Sequence, residues 1–448
     1  MDFIGLIPSF GNFFYSVVAF IVALSVIVAV HEYGHYIVGR WSGIHADVFS
    51  LGFGPVIYSR IDKRGTRWQV AALPFGGYVK FAGDADAASV EAADVSTLSA
   101  AEKRRTMTGA PLWARAATVA AGPGFNFVFS ILIFTAVMLG RGVATDPLTA
   151  ETVMPLPYAV QQVEAGDTLL AIDGRPTPPL AQLDSYIADL PLQPEMEYTV
   201  SRDGAERVVR GPHPYPPLVN GVTLQSAAMD AGLQTGDVIL SVDGDPIFAF
   251  DQLPARVAAA EGGTLSMEIW RMEDGTGTTR TVEMSPRRVD LPRAEGGFET
   301  RWLIGISGGL FFTPQTETPG LFDAVGSAAG QTWYIAKSSV SGLYHMAVGA
   351  ISSCGLQGPI GIAQTSGAAA SQGGLTFIWF IAVLSTAVGL LNLFPIPVLD
   401  GGHLVFYAYE AIAGKPPSEG ALRIFMIIGL SLLGTLMLFA LTNDLFCP

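Results

Sequence analysis

The stretch VIVAVHEYGHYIVGR, residues 26–40, decides how the chain is to be read. It ends an N-terminal run in which residues 3–30 carry no charge, yet it holds His31, Glu32 and His35. Ionisable groups at membrane depth are costly and need partners. On a helix, His31 and His35 are four residues apart and project from one face, one turn apart. Two imidazole nitrogens so placed can hold one Zn²⁺, with Glu32 flanking an open position as a general base. A catalytic zinc takes three protein ligands and a water, whose pKa it lowers to about 7. Coordination also supplies the partners that make burial of these groups tolerable.

The rest of the chain suits that setting. It has 448 residues, 50% of them hydrophobic and 14% charged, and its mean hydropathy is +0.41. A net charge of −14 argues against nucleic-acid binding, which needs a basic face. Two cysteines, Cys354 and Cys447, are too few for a disulfide framework or a thiolate zinc site. Crossing a bilayer takes about 20 apolar residues, and four stretches qualify: 3–30, 116–140, 375–399 and 424–443. The first lacks a basic leader and a small-residue cleavage site, so it reads as a retained helix starting near Asn12 rather than a signal peptide. The loop between the first two stretches is rich in Lys and Arg, including Arg60, Lys63, Arg64, Arg67, Lys103, Arg104 and Arg105. That bias places this loop in the cytoplasm, with both termini and the segment after Arg141 on the opposite side.

A third metal ligand is expected in TAVGLLNLFPIPVLDGGHLV, residues 386–405. Asp400 ends the third apolar stretch, which runs in the same direction as the first, so its end meets the HEYGH end at matching depth. The alternatives are that Asp400 only caps a turn before Gly401 and Gly402, and that His403 is the ligand or a supporting group. Pro395 and Pro397 break the helical ladder, which at this depth is tolerated where backbone lines a cavity. The break would expose carbonyls and the Asn392 amide beside the metal. A peptide must be extended to be cut, and an opened backbone with a nearby sheet edge could hold it by β-addition.

Residues 48–82 read as hairpins near the membrane surface, broken at GFGP, DKRG and PFGG. Residues 83–110 read as a polar loop. Residues 143–290 carry a weak repeat: VEAGDTLLAIDGRP (163–176) and LQTGDVILSVDGDP (233–246) share Gly-Asp, an apolar strand and an Asp-Gly turn. The Pro-rich HPYPPL (213–218) suits a linker between two small domains. Residues 320–353 read as a helix, either interfacial or packed on the small domains.

HEYGH in a first membrane helix, NLFPIPVLDGG in a late one and a doubled module between them resemble the site-2 proteases, and within them the regulator-of-sigma-E (RseP) group. The resemblance implies a multi-domain membrane protein: a four-helix transmembrane metalloprotease domain with a membrane-associated β-hairpin region, plus two small α/β PDZ-like domains. His31, His35 and Asp400 match the family's zinc ligands, Glu32 its general base, and Asn392, Pro395 and Pro397 its substrate-binding motif. VFSLGFGP and PFGGYVKF resemble the family's membrane-associated β-region. GPGFNFVFSILIF (122–134), with Asn126, is similar to its second-helix signature, and QGPIGIAQ (357–364) to a motif before the third helix. SAAMDAGLQTGDVILSVDG (226–244) resembles a PDZ domain more closely than YAVQQVEAGDTLLAIDG (158–174), which lacks the Ala-Gly-Leu before the turn.

The expected parts are the first helix at 1–40, a cytoplasmic loop with β-hairpins at 41–111 and the second helix at 112–141. PDZ-like domains follow at 142–213 and 214–290, then a juxtamembrane helical region at 291–374. The third helix falls at 375–402, and a loop with the fourth helix at 403–448. The implied activity is that of an inner-membrane zinc metalloendopeptidase cleaving single-span substrates, of the anti-sigma-factor or remnant signal-peptide kind, after an upstream protease has acted. A membrane-anchored PDZ receptor with a structural metal site is the alternative.

Overall fold

A long uncharged segment in an apolar medium satisfies its backbone only as a helix, and the computed structural model opens with one, α1 (Leu6–Trp41). Residues 6–83, 98–158, 160–293 and 297–446 are described, with side chains from Phe14 onward except that of Phe75. The chain forms two units, residues 1–137 with 321–448, and residues 138–320. Helix α1 begins before Asn12, the expected start. Two long strands follow, β1 (Ala46–Ile61) and β2 (Arg67–Phe81). Each bends on itself. Phe49, Ser50 and Leu51 pair with Trp68, Gln69 and Val70 on one side and with Val79, Tyr78 and Gly77 on the other, while Arg60 and Tyr58 pair with Trp68 and Val70. The spatial order is thus 56–61, 67–71, 48–51, 77–80. Gln69 confirms it, donating to Ser50 Oγ at 3.2 Å and to Tyr78 OH at 3.1 Å. The bends fall at the glycine-rich breaks. Gly76 has φ +132°, and a Cβ there would enter the Phe53 ring.

Of the expected loop at 83–110, residues 84–97 lie outside the described residues. The remainder contains a short helix, α2 (Ala100–Arg104), started by a capping box between Ser99 and Glu102. The second long helix is α3 (Leu112–Arg141), with Pro123 inside it.

The second unit contains the repeat. Strands β3 (Val143–Ala144) and β4 (Ala150–Val153) lead into β5 (Thr168–Ile172), β6 (Arg175–Pro176), helix α4 (Leu183–Ala188), β7 (Met196–Arg202) and β8 (Ala205–Gly211). After β9 (Gly221–Val222) and α5 (Ala227–Asp230), the pattern recurs as β10 (Val238–Val242), β11 (Asp245–Pro246), α6 (Leu253–Ala259), β12 (Leu265–Glu273) and β13 (Thr276–Met284). Each copy is a four-stranded sheet, in the orders β6-β5-β7-β8 and β11-β10-β12-β13. Asp173 and Asp243 take positive φ before Gly174 and Gly244, and each carboxylate accepts the opposite strand's N–H, from Glu197 and Ser266. The aspartates of the two Gly-Asp pairs are buried and gripped by arginines. Asp167 receives Arg202 Nε and Nη2 at 2.6 and 2.7 Å, and Asp237 receives Arg271 Nε and Nη2, both at 2.6 Å.

The start of the expected helical region instead holds strands: β14 (Arg287–Pro292), β15 (Phe298–Leu303), β16 (Ile306–Ser307), β17 (Phe312–Pro314) and β18 (Thr316–Glu317), with residues 294–296 outside the described residues. They complete both modules in reverse order. Ile304 fills the second core and β16 pairs with β9, whereas Phe311 and Phe312 fill the first core and β17 pairs with β4. The second module is therefore inserted within the first. HPYPPL, expected as a linker, is mostly buried, with Leu218 in the first core and Tyr215 edge-on to Phe250. Its rings and prolines are apolar enough to be taken in by packing.

The chain returns to the first unit with α7 (Leu321–Ala347), whose small residues Ala324, Ala328, Thr332 and Ala336 are buried. Ala328 packs with Phe134 of α3 and Ala382 of the next long helix, while Phe322, Trp333 and Tyr344 face outward. A further helix, α8 (Pro359–Ser371), contains part of QGPIGIAQ. Helix α9 (Gly374–Asn392) stops ten residues short of the boundary expected at 402. Residues 403–413, expected as loop, belong to α10 (Asp400–Ala413), and α11 (Glu419–Phe446) ends the described chain. Cys447 lies outside the described residues. Among the described residues, four helices are long and apolar enough to cross a membrane: Phe14–Trp41, Leu112–Arg141, Gly374–Asn392 and Glu419–Phe446. Ala23, Ile27, Phe129 and Ile381 pack the first three together.

The buried Asp167–Arg202 pair should dominate local stability of the first module. Removing one partner of such a pair costs about 3 kcal/mol, so Asp167→Asn in the full-length protein should speed the slowest amide exchange in β5 and β7 about a hundredfold at pH 7. Burial alone would raise the Asp167 carboxyl, but Arg202 and the Glu164 N–H outweigh it and hold the group below the usual range. A carboxyl depressed in the folded state stabilises above its unfolded pKa, and that contribution is lost as pH falls through the folded value. The difference between wild type and variant should therefore shrink below about pH 3.9.

Candidate metal centre

Helical spacing puts the His31 and His35 rings on one face of α1, with centroids 4.7 Å apart and planes at 82°. Their Nε2 atoms are 3.1 Å apart. Asp400 Oδ2 lies 3.1 Å from His31 Nε2 and 3.5 Å from His35 Nε2. Ligands on a tetrahedral zinc at 2.0–2.1 Å are separated by about 3.3 Å, so these three separations fit one ion. Among the described residues these three are the group of His, Cys, Asp and Glu side chains able to share a metal.

The supporting contacts point the same way. His35 Nδ1 is 2.9 Å from the Thr118 carbonyl, which can only accept, so this ring carries its proton on Nδ1 and leaves Nε2 a lone pair. His31 Nδ1 faces the Asn126 amide at 3.2 Å. Asn126 Oδ1 is buried without a partner. Oxygen and nitrogen of an amide are exchanged by a half-turn, which would give Oδ1 the Nδ1–H of His31 and free that Nε2 as well. Three electron-pair donors then face one another, and Asp400 Oδ2 is itself buried without a hydrogen-bond partner. Such a cluster is repulsive unless a cation sits among them. Room is left by Gly122 of α3, where a Cβ would meet His35 Nε2 and come within 2.8 Å of His31 Nε2.

Asp400 reaches this place by a route the sequence did not suggest. It was expected to end the third apolar helix, but it opens α10, after an irregular link over residues 393–399. An acid in a first helical turn is favoured by the helix dipole. Pro395 and Pro397 form the link, and Val398 takes φ +100°, a strained value for a β-branched residue. The link folds tightly over the start of α10: a Cβ on Gly402 would come 2.7 Å from Pro397 Cα, and one on Gly401 would collide with the Leu393 and Phe394 carbonyls. The DGG sequence therefore reflects a close backbone approach. Helix α10 is anchored farther along, where Arg115 of α3 grips Glu410 through two bonds of 3.0 and 2.7 Å and stacks over Tyr407.

Glu32 is half-buried on α1 beside the sheet. A Cβ on Gly77 of β2 would come 3.2 Å from Glu32 Cγ, so the 77–80 border of the sheet runs past this side chain. Asn392 is the last residue of α9, and its Nδ2 donates to Val388 O at 3.0 Å rather than pointing into the broken link. His403 is not one of the three converging donors. His45 lies 3.6 Å from Asp47, and His345 Nδ1 lies 2.8 Å from Ser341 O. Thr118 and Gly122 escaped the sequence reading because one acts through its carbonyl and the other through the absence of a side chain. Asn126 was noticed only through its motif.

Two imidazoles and a carboxylate able to share a cation, set among apolar helices with a glutamate alongside, make the donor set of a metallopeptidase. Residues 19–436 match peptidase family M50. A protein of Agrobacterium fabrum, provisionally named a zinc metalloprotease, is 36% identical over 440 residues, covering 96% of this chain and 95% of the relative. The regulator of sigma-E protease RseP of Escherichia coli K12 is 34% identical over 465 residues, covering 97% and 99%. That of Salmonella typhimurium LT2 is 33% identical over 463 residues, covering 96% and 98%. The chain belongs to peptidase family M50, the site-2 proteases, and is a zinc metalloprotease.

Two substitutions test this geometry by metal analysis alone. Gly122→Ala should yield purified protein that is folded by circular dichroism but depleted in zinc. Asn126→Ala, which removes the partner of His31 Nδ1, should weaken zinc 10–100-fold in competition with a chelator.

Proposed function

We propose that the protein cleaves peptide bonds within or beside single-span transmembrane segments, with Zn²⁺ held by His31, His35 and Asp400. The convergence of three lone-pair donors inside an apolar helix unit carries this reading. Bound zinc supplies Lewis acidity toward a carbonyl and makes a water acidic at neutral pH. Glu32, next to the donors on α1, takes a proton from the attacking water and returns it to the leaving amine nitrogen. Thr118 O and Asn126 hold the two rings in register. The apolar helices around the site limit the water that reaches it.

The substrate must be unwound to expose its carbonyl. The 77–80 border beside Glu32 can pair with such a strand by β-addition. Asn392 engages the strand once its amide leaves Val388 O, and Pro395 and Pro397 keep the neighbouring backbone open. The two modules of residues 143–317 act as PDZ-like domains, and by bulk they admit substrates already trimmed by another protease. The relatives named for sigma-E regulation support anti-sigma factors as substrates, with remnant signal peptides as the other class. The protein resides in the bacterial inner membrane, with both termini and the modules periplasmic and the metal site toward the cytoplasmic side.

A PDZ receptor with a purely structural metal is the competing reading. Structural zinc sites are closed by four protein ligands, and three donors converge here among the described residues, leaving a position for chemistry. Glu32→Gln should abolish cleavage of a single-span substrate in proteoliposomes while zinc stays near stoichiometric. Asp400→Asn should lose both. Cleavage surviving in Glu32→Gln would refute the assignment.

A further inference from the structure

A cavity of about 240 Å³ opens where α1 ends against the base of the sheet. Three arginines from three separate segments are among its lining residues: Arg40 from the last turn of α1, Arg64 from the β1–β2 turn, and Arg105 just after α2. His45, Tyr36 and Thr66 also line it, and among the described residues no Asp or Glu does. Arg40 Nη1 donates to Tyr36 OH at 2.8 Å. The acid of the turn, Asp62, accepts the N–H groups of Arg64 and Thr66 and Trp68 Nε1, and its charge acts on Arg40 alone of the three arginines. Asp47 faces His45. Beside the wall at Gly43, Arg104 Nη1 is buried without an acceptor. Like charges brought together around a cavity raise the energy of the fold unless an anion joins them. The fork of a guanidinium matches two oxygens of a phosphate.

The height of the cavity indicates where that phosphate comes from. Arg40 precedes Trp41, which is 73% exposed at the end of the first apolar helix. Exposed Trp at a helix end marks the headgroup layer, and basic pockets at that level take lipid headgroups. We propose that this cavity binds a phosphate group, supplied by the headgroup of an anionic phospholipid. The site is separate from the metal centre and ties the α1 end, the sheet turn and the segment after α2 to the membrane surface.

The test uses full-length protein in detergent, titrated with short-chain phosphatidylglycerol, short-chain phosphatidylcholine or inorganic phosphate. The variants are R64Q/R105Q, which removes two exposed arginines of the cavity, and R60Q/R67Q, which removes the same charge elsewhere on the sheet. Wild type should bind phosphatidylglycerol over phosphatidylcholine. R64Q/R105Q should weaken that binding about 30-fold, and R60Q/R67Q should leave it within about twofold. Failure of millimolar inorganic phosphate to compete would assign the site to lipid. Competition would assign it to phosphate from a soluble source, keeping the chemistry but overturning the lipid assignment. Equal binding by wild type and R64Q/R105Q, or equal loss in both variants, would overturn the site.

Discussion

Two imidazoles and a carboxylate facing one another, each offering a lone pair, make an arrangement that an apolar helix unit cannot hold without a cation. Much of the first unit is arranged around that constraint. His35 is fixed through the Thr118 carbonyl and His31 through Asn126, while Ser130 and Ser385 both donate to the Asn126 backbone carbonyl. The polar groups in this layer thus bond to one another rather than facing lipid.

Bringing Asp400 to the histidines requires a break in the helix ladder, and the break requires close backbone packing. Gly401 and Gly402 lie under the link, and Gly429 of α11 lies against Pro397. Irregular backbone in such a setting persists only where neighbouring elements over-determine it. The clamp of Arg115 on Glu410, with Leu404 and Tyr407 packed against the core of Tyr36, Phe49 and Phe81, holds the helix that carries Asp400. Position of the carboxylate is therefore set by contacts along the whole of α10, well beyond the residue itself.

The second unit uses its own repeated devices. Each module repeats an Asp–Arg grip and an Asp-Gly turn. The insertion of one module within the other means that the strands after residue 303 close both cores. An inserted module enters and leaves its host at neighbouring points, so the pair is tethered more firmly than two domains strung on a linker.

Sequence alone determined the four apolar helices, the His-Glu-x-x-His face, the doubled Gly-Asp and Asp-Gly pattern and the family, because each is written in local spacing or in residue types that physics makes costly at their positions. Asp400 was legible as a candidate because it follows an apolar run whose end meets the HEYGH end at matching depth. The tertiary structure alone decided that Asp400 begins a helix instead of ending one, that HPYPPL is mostly buried, that the strands within 298–317 complete two cores, and that Thr118, Gly122 and Arg115 support the centre. Those outcomes depend on backbone carbonyls, missing side chains and pairings between residues up to 295 positions apart, and none of these leaves a local pattern in the chain.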